Sequence, residues 1–87
     1  MNATSTVFIV DDDSAVRDAI SLLLRTDGLT VQSFASAVDF LDAGVDQQPG
    51  CLLLDVRMPG MSGLDLQKRL RARGCRTPIL FMTGHGD

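Results

Sequence analysis

The residues of this chain best suited to chemistry are aspartates that come directly after apolar runs. Residues 11–13 are three consecutive aspartates after the run 7–10, and Asp55 follows the run 51–54. All eleven acidic residues of the chain are aspartate and none is glutamate. A short carboxylate suits turns and strand ends, where it caps or coordinates, better than helix interiors. The pattern therefore places the candidate chemistry at the ends of strands.

The elements that must position these aspartates alternate strictly along the chain. The run 7–10 lacks polar alternation, which is typical of a strand buried on both faces of a parallel sheet. We predict strands over 7–10, 29–34, 51–54 and 78–82, with a helix between each pair. Strict alternation implies an α/β protein with a parallel sheet and right-handed crossovers.

Serine and glycine mark the ends of the three predicted helices. The expected N-caps are Ser14, Ser36 and Ser62, and the expected stops are Gly28, Gly44 and Gly74. In the first helix, apolar residues recur at helical spacing, at Val16, Ala19, Ile20, Leu23 and Leu24. Asp13, just before this helix, is expected to act as a turn residue or as a favourable charge at the helix N-terminus.

The predicted sheet brings the aspartates together. In the flavodoxin-like strand order 2-1-3-4-5, ligands bind where strands one and three end. Strand one ends at Asp11 and Asp12 and strand three at Asp55, so we expect three carboxylates within a few ångströms. Carboxylates that close repel one another unless a cation compensates them. All-oxygen ligation favours Mg²⁺.

A carboxylate next to Mg²⁺ also suits phosphoryl transfer. The metal neutralises charge on the incoming group, so Asp55 could attack it and form an aspartyl phosphate. Thr83, at the end of strand four, borders the same place and could donate its hydroxyl to the new phosphate. The added charge is large enough to pull a hydroxyl and its loop into a second arrangement.

Three segments together resemble the receiver domain of bacterial two-component response regulators. They are VDDDS at 10–14, LDVRMPGMSG at 54–63 and TGHGD at 83–87. The last segment is most similar to the subgroup that carries a LuxR-type helix-turn-helix. The resemblance covers the whole chain, with the three motifs in the correct order. It implies one receiver domain over 1–87, a flavodoxin-like doubly wound parallel sheet with strand order 2-1-3-4.

The resemblance also implies a role for each site residue. Asp11 and Asp12 would hold Mg²⁺ together with Asp55 and the backbone carbonyl of Arg57. Asp55 would accept the phosphoryl group from a sensor histidine kinase, and Thr83 would be the switch hydroxyl. The side chains of Arg57 and His85 would lie where the family tunes the lifetime of the phosphate, although His85 by itself is simply expected to be exposed.

The sequence differs from the family in its length. Receivers continue through a further helix, a fifth strand and a last helix, about 35 residues by ordinary element lengths. The chain is therefore expected to be an incomplete receiver, truncated after its fourth strand. That strand would be an open edge and one face of the sheet would be covered by the first helix alone. Self-association, as a homodimer or by domain swapping, is expected through this edge.

Two other functions compete with the phosphoacceptor. An Mg²⁺-dependent phosphotransferase or phosphatase typically needs a second acid close to its aspartate nucleophile. Asp55 is followed by Val56, Arg57 and Met58, so we do not expect an enzyme. The remaining alternative is a receiver-like interaction fragment that no longer switches on phosphorylation, because the missing part would carry the lysine that pairs with the phosphate.

Composition limits the partners and the location. A net charge of -3 argues against nucleic-acid binding through this chain, whereas a parent protein with a helix-turn-helix would bind DNA. Five of the eight basic residues lie in 68–76, where they suit the end of a helix. The longest apolar runs have four residues, too short for a signal peptide or a membrane span. We therefore expect a cytoplasmic location. We expect packing roles for Cys51, Cys75, Met58, Met61 and Met82.

Overall fold

A computed structural model describes residues 5–82. Strands and helices alternate as the sequence predicts. The strands are β1 (Thr6–Val10), β2 (Thr30–Phe34), β3 (Gly50–Asp55) and β4 (Ile79–Met82). The helices are α1 (Ser14–Thr26), α2 (Ala37–Ala43) and α3 (Gly63–Ala72).

All pairs of neighbouring strands are parallel, and the sheet has the order β2-β1-β3-β4. The predicted α/β class and strand order are thus confirmed. In the register of the sheet, Val10 pairs with Phe34 on one side and with Leu54 on the other. Strands β1 and β3 therefore end level with each other, which brings the residues that follow Val10 next to Asp55.

The central strands β1 and β3 are covered on both faces, which explains their continuous apolar runs. On one face Phe8 and Leu52 pack under α2 and α3, with Phe40 and Leu66 among the fully buried helix residues. On the other face, Val7, Ile9 and Val31 form a smaller buried cluster. Ile20 and Leu24 of α1 pack against this cluster. Alternate residues of β1 serve the two faces, as the pleat of a strand requires.

The α1 face of the sheet is incompletely covered. Leu80 on β4 is 63% exposed and Leu23 on α1 is 66% exposed. Within residues 5–82, β4 pairs with β3 alone and forms one edge of the sheet, which confirms the predicted open edge. Helix α1 packs Ile20 and Leu24 against the sheet, whereas Leu23 stays exposed.

The caps of the helices are mostly as predicted. Ser36 caps α2, and Ser62 caps α3 in a reciprocal arrangement with Asp65. The N-cap of α1, however, is Asp13 and not Ser14. The Asp13 side chain accepts hydrogen bonds from the amides of the second and third helical residues, at 2.9 and 3.4 Å. A carboxylate also interacts favourably with the helix dipole, which confirms the role expected for this residue.

The basic residues near the end of α3 have structural contacts. Arg71 donates to the backbone carbonyls of Cys75 (2.7 Å) and Thr77 (3.2 Å). Arg73 forms an ion pair of 3.3 Å with the buried carboxylate of Asp46. These contacts support the view that the cluster belongs to the helix end.

The sulfur-containing residues pack as expected. Cys75 and Met58 are buried, while Met61 and Met82 pack against the two core clusters. Cys51 is half-buried on the α1 face. In the part of the chain that the structure describes, no helix has the length and apolar character needed to cross a membrane.

Candidate functional site

Three carboxylates meet at the edge where β1 and β3 end. One oxygen each from Asp11, Asp12 and Asp55 lies within 4.8 Å of the other two. Asp11 and Asp55 are 0% and 1% exposed, whereas Asp12 is open to solvent. The predicted trio is therefore brought together, with two acids in the floor of the site and the third at its rim.

The ends of the strands hold these acids in place. The amide of Asp11 donates to the carbonyl of Phe34 (3.2 Å), which extends the pairing of β1 with β2 by one residue. Asp55 is the last residue of β3 and pairs with Met82 of β4. The next amide, that of Val56, donates to the carbonyl of Met82 (3.2 Å). Asp55 is thus part of the sheet, and Asp11 is tied to its edge directly after β1.

A local hydrogen bond orients each buried carboxylate. The amide of Asp13 donates to Asp11 Oδ1 (2.9 Å), and the amide of Arg57 donates to Asp55 Oδ1 (3.1 Å). Each contact spans two residues, which is the Asx-turn geometry that aspartate favours at strand ends. The two carboxylates are accordingly positioned before any ligand binds.

Gly63, the first residue of α3, lies against the backbone of the candidate nucleophile. A Cβ built on Gly63 would come within 2.2 Å of the carbonyl oxygen of Asp55. The amide of Gly63 also donates to the carbonyl of Val56 (3.1 Å). The role of Gly63 could not be predicted from the sequence, because the contact depends on how the loop 56–62 folds back on β3.

Helix α3 begins next to this contact with a favourable cap. The Ser62 hydroxyl accepts a hydrogen bond from the amide of Asp65 (3.1 Å), and the amide of Ser62 donates to Asp65 Oδ2 (3.2 Å). Hydrogen bonding of the Asp65 carboxylate to the Ser62 side chain and backbone lowers the pKa of this carboxyl below its ordinary value. The nearby cations Lys68 and Arg69 lower the same pKa further. The cap stabilises the start of the helix that supports Asp55.

The donor set suits a hard divalent cation. Three carboxylate oxygens converge, and among residues 5–82 no nitrogen or sulfur ligand takes part in this cluster. Hard cations such as Mg²⁺ and Ca²⁺ take oxygen ligands, and Mg²⁺ typically uses one or two carboxylates and keeps several waters. The solvent-exposed side at Asp12 leaves room for those waters. The residues present therefore fit Mg²⁺.

Other predicted site residues are placed less completely. Arg57 lies in the exposed loop after β3, with its amide on Asp55, and the role of its carbonyl as a metal ligand stays a prediction. Thr83 and His85 fall outside residues 5–82, so their predicted roles are untested.

Comparison with known proteins identifies the class. The chain matches the response regulator receiver domain over residues 7–87, and it belongs to this family. It is 53% identical over 81 residues to the transcriptional regulatory protein FixJ of Azorhizobium caulinodans, an alignment that covers 93% of the chain. It is 52% identical over 83 residues to the response regulator protein TodT of Pseudomonas putida, with 95% of the chain covered. The predicted receiver family and its LuxR-type subgroup are confirmed, since these relatives are response regulators of the FixJ and TodT type.

Solved structures agree with this assignment. The chain superposes on the response regulator StyR with a TM-score of 0.90 and 50% identity, covering 97% of the chain and 42% of StyR. For FixJ-N the TM-score is 0.86 at 40% identity, with 95% of the chain and 66% of that structure covered. The chain spans 38% of the length of the Azorhizobium FixJ and 37% of TodT. It thus corresponds to part of a receiver domain within longer regulators.

Proposed function

We propose that the chain is a phosphoacceptor, in which Asp55 takes a phosphoryl group from a sensor histidine kinase in a reaction that requires Mg²⁺. The observation that carries this proposal is the convergence of Asp11, Asp12 and Asp55, with oxygens within 4.8 Å of one another around a buried Asp55. Membership of the receiver family supports it. The transfer would take place in the cytoplasm, as the sequence predicts.

The proposed metal site uses the three carboxylates and the backbone carbonyl of Arg57. These groups would hold Mg²⁺, which would neutralise charge on the incoming phosphoryl group and offset the repulsion among three closely spaced acids. The exposed position of Asp12 lets the metal enter from solvent without opening the fold.

The transfer itself exchanges one bond for another. A carboxylate oxygen of Asp55 attacks phosphorus, the phosphorus–nitrogen bond of the donor histidine breaks, and the histidine nitrogen takes up a proton. The amide of Arg57 on Asp55 Oδ1 holds the carboxylate plane during attack. The hydroxyl of Thr83 would then donate to the phosphate.

Output would come from the longer protein. The relatives FixJ and TodT are named as regulators, FixJ as a transcriptional one, and the chain spans less than half of their length. We therefore propose that the parent protein binds DNA through another segment and that this chain makes no nucleic-acid contact.

An intact-mass experiment tests the phosphoacceptor. The chain would be incubated with acetyl phosphate, with and without Mg²⁺, after circular dichroism has shown that it is folded. We expect one phosphoryl increment, seen only with Mg²⁺. Asp55→Asn should abolish it, whereas Asp46→Asn should keep it, because Asp46 is also buried but lies outside the cluster.

The same experiment separates the alternative. The half-covered α1 face, with Leu80 63% exposed, favours a fragment that binds a partner without switching. A folded chain that gains no phosphoryl group at saturating Mg²⁺ would contradict the phosphoacceptor and leave this second function.

A further inference from the structure

Arg17 makes an unusual contact next to the acidic site. Its guanidinium donates to the backbone carbonyl of Asp11 at 2.7 Å. This is a short, charge-assisted hydrogen bond. Arg17 is half-buried and lies in the first turns of α1, four residues after the N-cap Asp13. A cation near a helix N-terminus is opposed by the helix dipole, so helix stability does not explain its position.

The contact controls the peptide that joins two proposed metal ligands. The carbonyl of Asp11 and the amide of Asp12 belong to one planar peptide unit. The amide on the other side of Asp11 is held by the carbonyl of Phe34, at 3.2 Å. With the carbonyl held by Arg17 as well, the backbone of Asp11 is fixed on both sides. The direction in which the chain enters Asp12 is then fixed too.

This constraint matters most for Asp12. Asp11 is fully buried and its carboxylate accepts the amide of Asp13, so its packing already limits its movement. Asp12 is exposed, and its orientation depends on the peptide that Arg17 holds. Mg²⁺ demands near-ideal octahedral geometry, and groups that orient metal ligands typically change affinity 10- to 100-fold when removed.

We propose that Arg17 is a positioning residue that orients the peptide between Asp11 and Asp12 for Mg²⁺ binding. The proposal rests on the proposed function, since it assigns the metal to these acids. It also makes a prediction of opposite sign to simple electrostatics. Removing a positive charge beside three carboxylates would by itself tighten binding of a cation, whereas loss of positioning weakens it.

The test is the affinity of the folded 87-residue chain for Mg²⁺, measured by titration calorimetry on the parent and three variants. Arg17→Met removes charge and donors but keeps the length of the side chain. Arg17→Lys keeps the charge and loses the planar fork. Arg25→Met is the matched control, because Arg25 also lies on α1 and donates to a strand carbonyl, that of Val31 at 3.1 Å, at the opposite end of the helix.

We expect Arg17→Met to bind Mg²⁺ about tenfold more weakly, Arg17→Lys to lie between it and the parent, and Arg25→Met to match the parent. The phosphorylation rate of Arg17→Met should return toward the parent value at saturating Mg²⁺, which a general loss of structure would not produce.

Three results would overturn the proposal. Unchanged or tighter Mg²⁺ binding by Arg17→Met would show that Arg17 does not position the ligands and affects the metal only through its positive charge. Equal weakening in Arg25→Met would assign the effect to the packing of α1. Absence of Mg²⁺ binding in the folded parent would refute the proposed function itself, and the inference with it. If the parent binds Mg²⁺ but one of the first two results is obtained, only the role of Arg17 is refuted and the proposed function stands.

Discussion

Replacing Gly63 with alanine should disturb the candidate nucleophile directly. The added Cβ would lie 2.2 Å from the carbonyl oxygen of Asp55 and 3.0 Å from its carbonyl carbon. Carbon and oxygen atoms that are not bonded do not approach so closely, so the backbone of α3 and β3 must separate by about 1 Å to restore ordinary contact. Gly63 is buried, and both partners are backbone, so no flexible side chain can yield.

The energetic cost follows from two opposing effects. Overpacking of a tight site costs about 1–3 kcal/mol, while alanine gains up to about 1 kcal/mol over glycine in a helix. We expect Gly63→Ala to lower the free energy of unfolding by about 1–2 kcal/mol. The effect on chemistry should be larger, because a displacement of about 1 Å in a reacting group can reduce a rate on the order of 100-fold.

Urea denaturation and the rate of phosphorylation by acetyl phosphate measure the two effects. Gly74→Ala is the matched control. Gly74 has a φ of +81° and open space around its missing Cβ, so alanine there is strained by about 1 kcal/mol without touching the site. The control should lose stability and keep its rate. A folded Gly63→Ala chain that is phosphorylated as fast as the parent would refute the argument that this contact positions Asp55.

Four further predictions concern stability and association. Ser62→Ala removes the α3 cap and should lower the free energy of unfolding by about 1 kcal/mol in urea; an unchanged midpoint would contradict the cap. Because the pKa of Asp65 is lowered in the fold, its contribution to stability is complete above the ordinary aspartate pKa and is lost as the pH falls through the lowered value. Asp65→Asn should therefore make the free energy of unfolding, measured in urea at a series of acid pH values, depend less steeply on pH. An unchanged slope would contradict a stabilising role of the Asp65 carboxylate. Arg73→Ala leaves the carboxylate of Asp46, 7% exposed, without its ion pair and should cost about 1–3 kcal/mol, whereas a cost near zero would show that water replaces the arginine. Sedimentation velocity should show concentration-dependent association of the parent that Leu80→Lys reduces, and a parent that stays monomeric at every concentration would exclude the predicted open-edge contact.

Much of the fold was predictable because its central strands, β1 and β3, are covered on both faces. Runs such as 51–54 carry no polar alternation, and the serines and glycines at the helix ends are strong local signals. Strand boundaries differ by at most one residue, as at Asp55, which is the last residue of β3 although the sequence suggested that it follows the strand. The N-cap of α1 was misassigned because Asp13 and Ser14 are both good caps, and sequence alone does not show which one has extended backbone.

The acidic cluster was predictable from the strand order, since the rule that places ligands between strands one and three needs only the positions of Asp11, Asp12 and Asp55. The supporting contacts were not. Arg17 reaches back over six residues to a carbonyl, and Gly63 fits against Asp55 only after the intervening loop has reversed direction. Such contacts depend on tertiary geometry that spacing along the chain does not encode.

The central claim, that Asp55 is the residue phosphorylated, is tested most directly by chemical trapping. The folded chain would be phosphorylated with acetyl phosphate and Mg²⁺ and reduced with borohydride, which converts an aspartyl phosphate to homoserine. Peptide mass spectrometry would then locate the change. The account predicts homoserine at position 55 and at no other aspartate. Modification at position 11 or 12, or no modification of a folded chain that binds Mg²⁺, would contradict it.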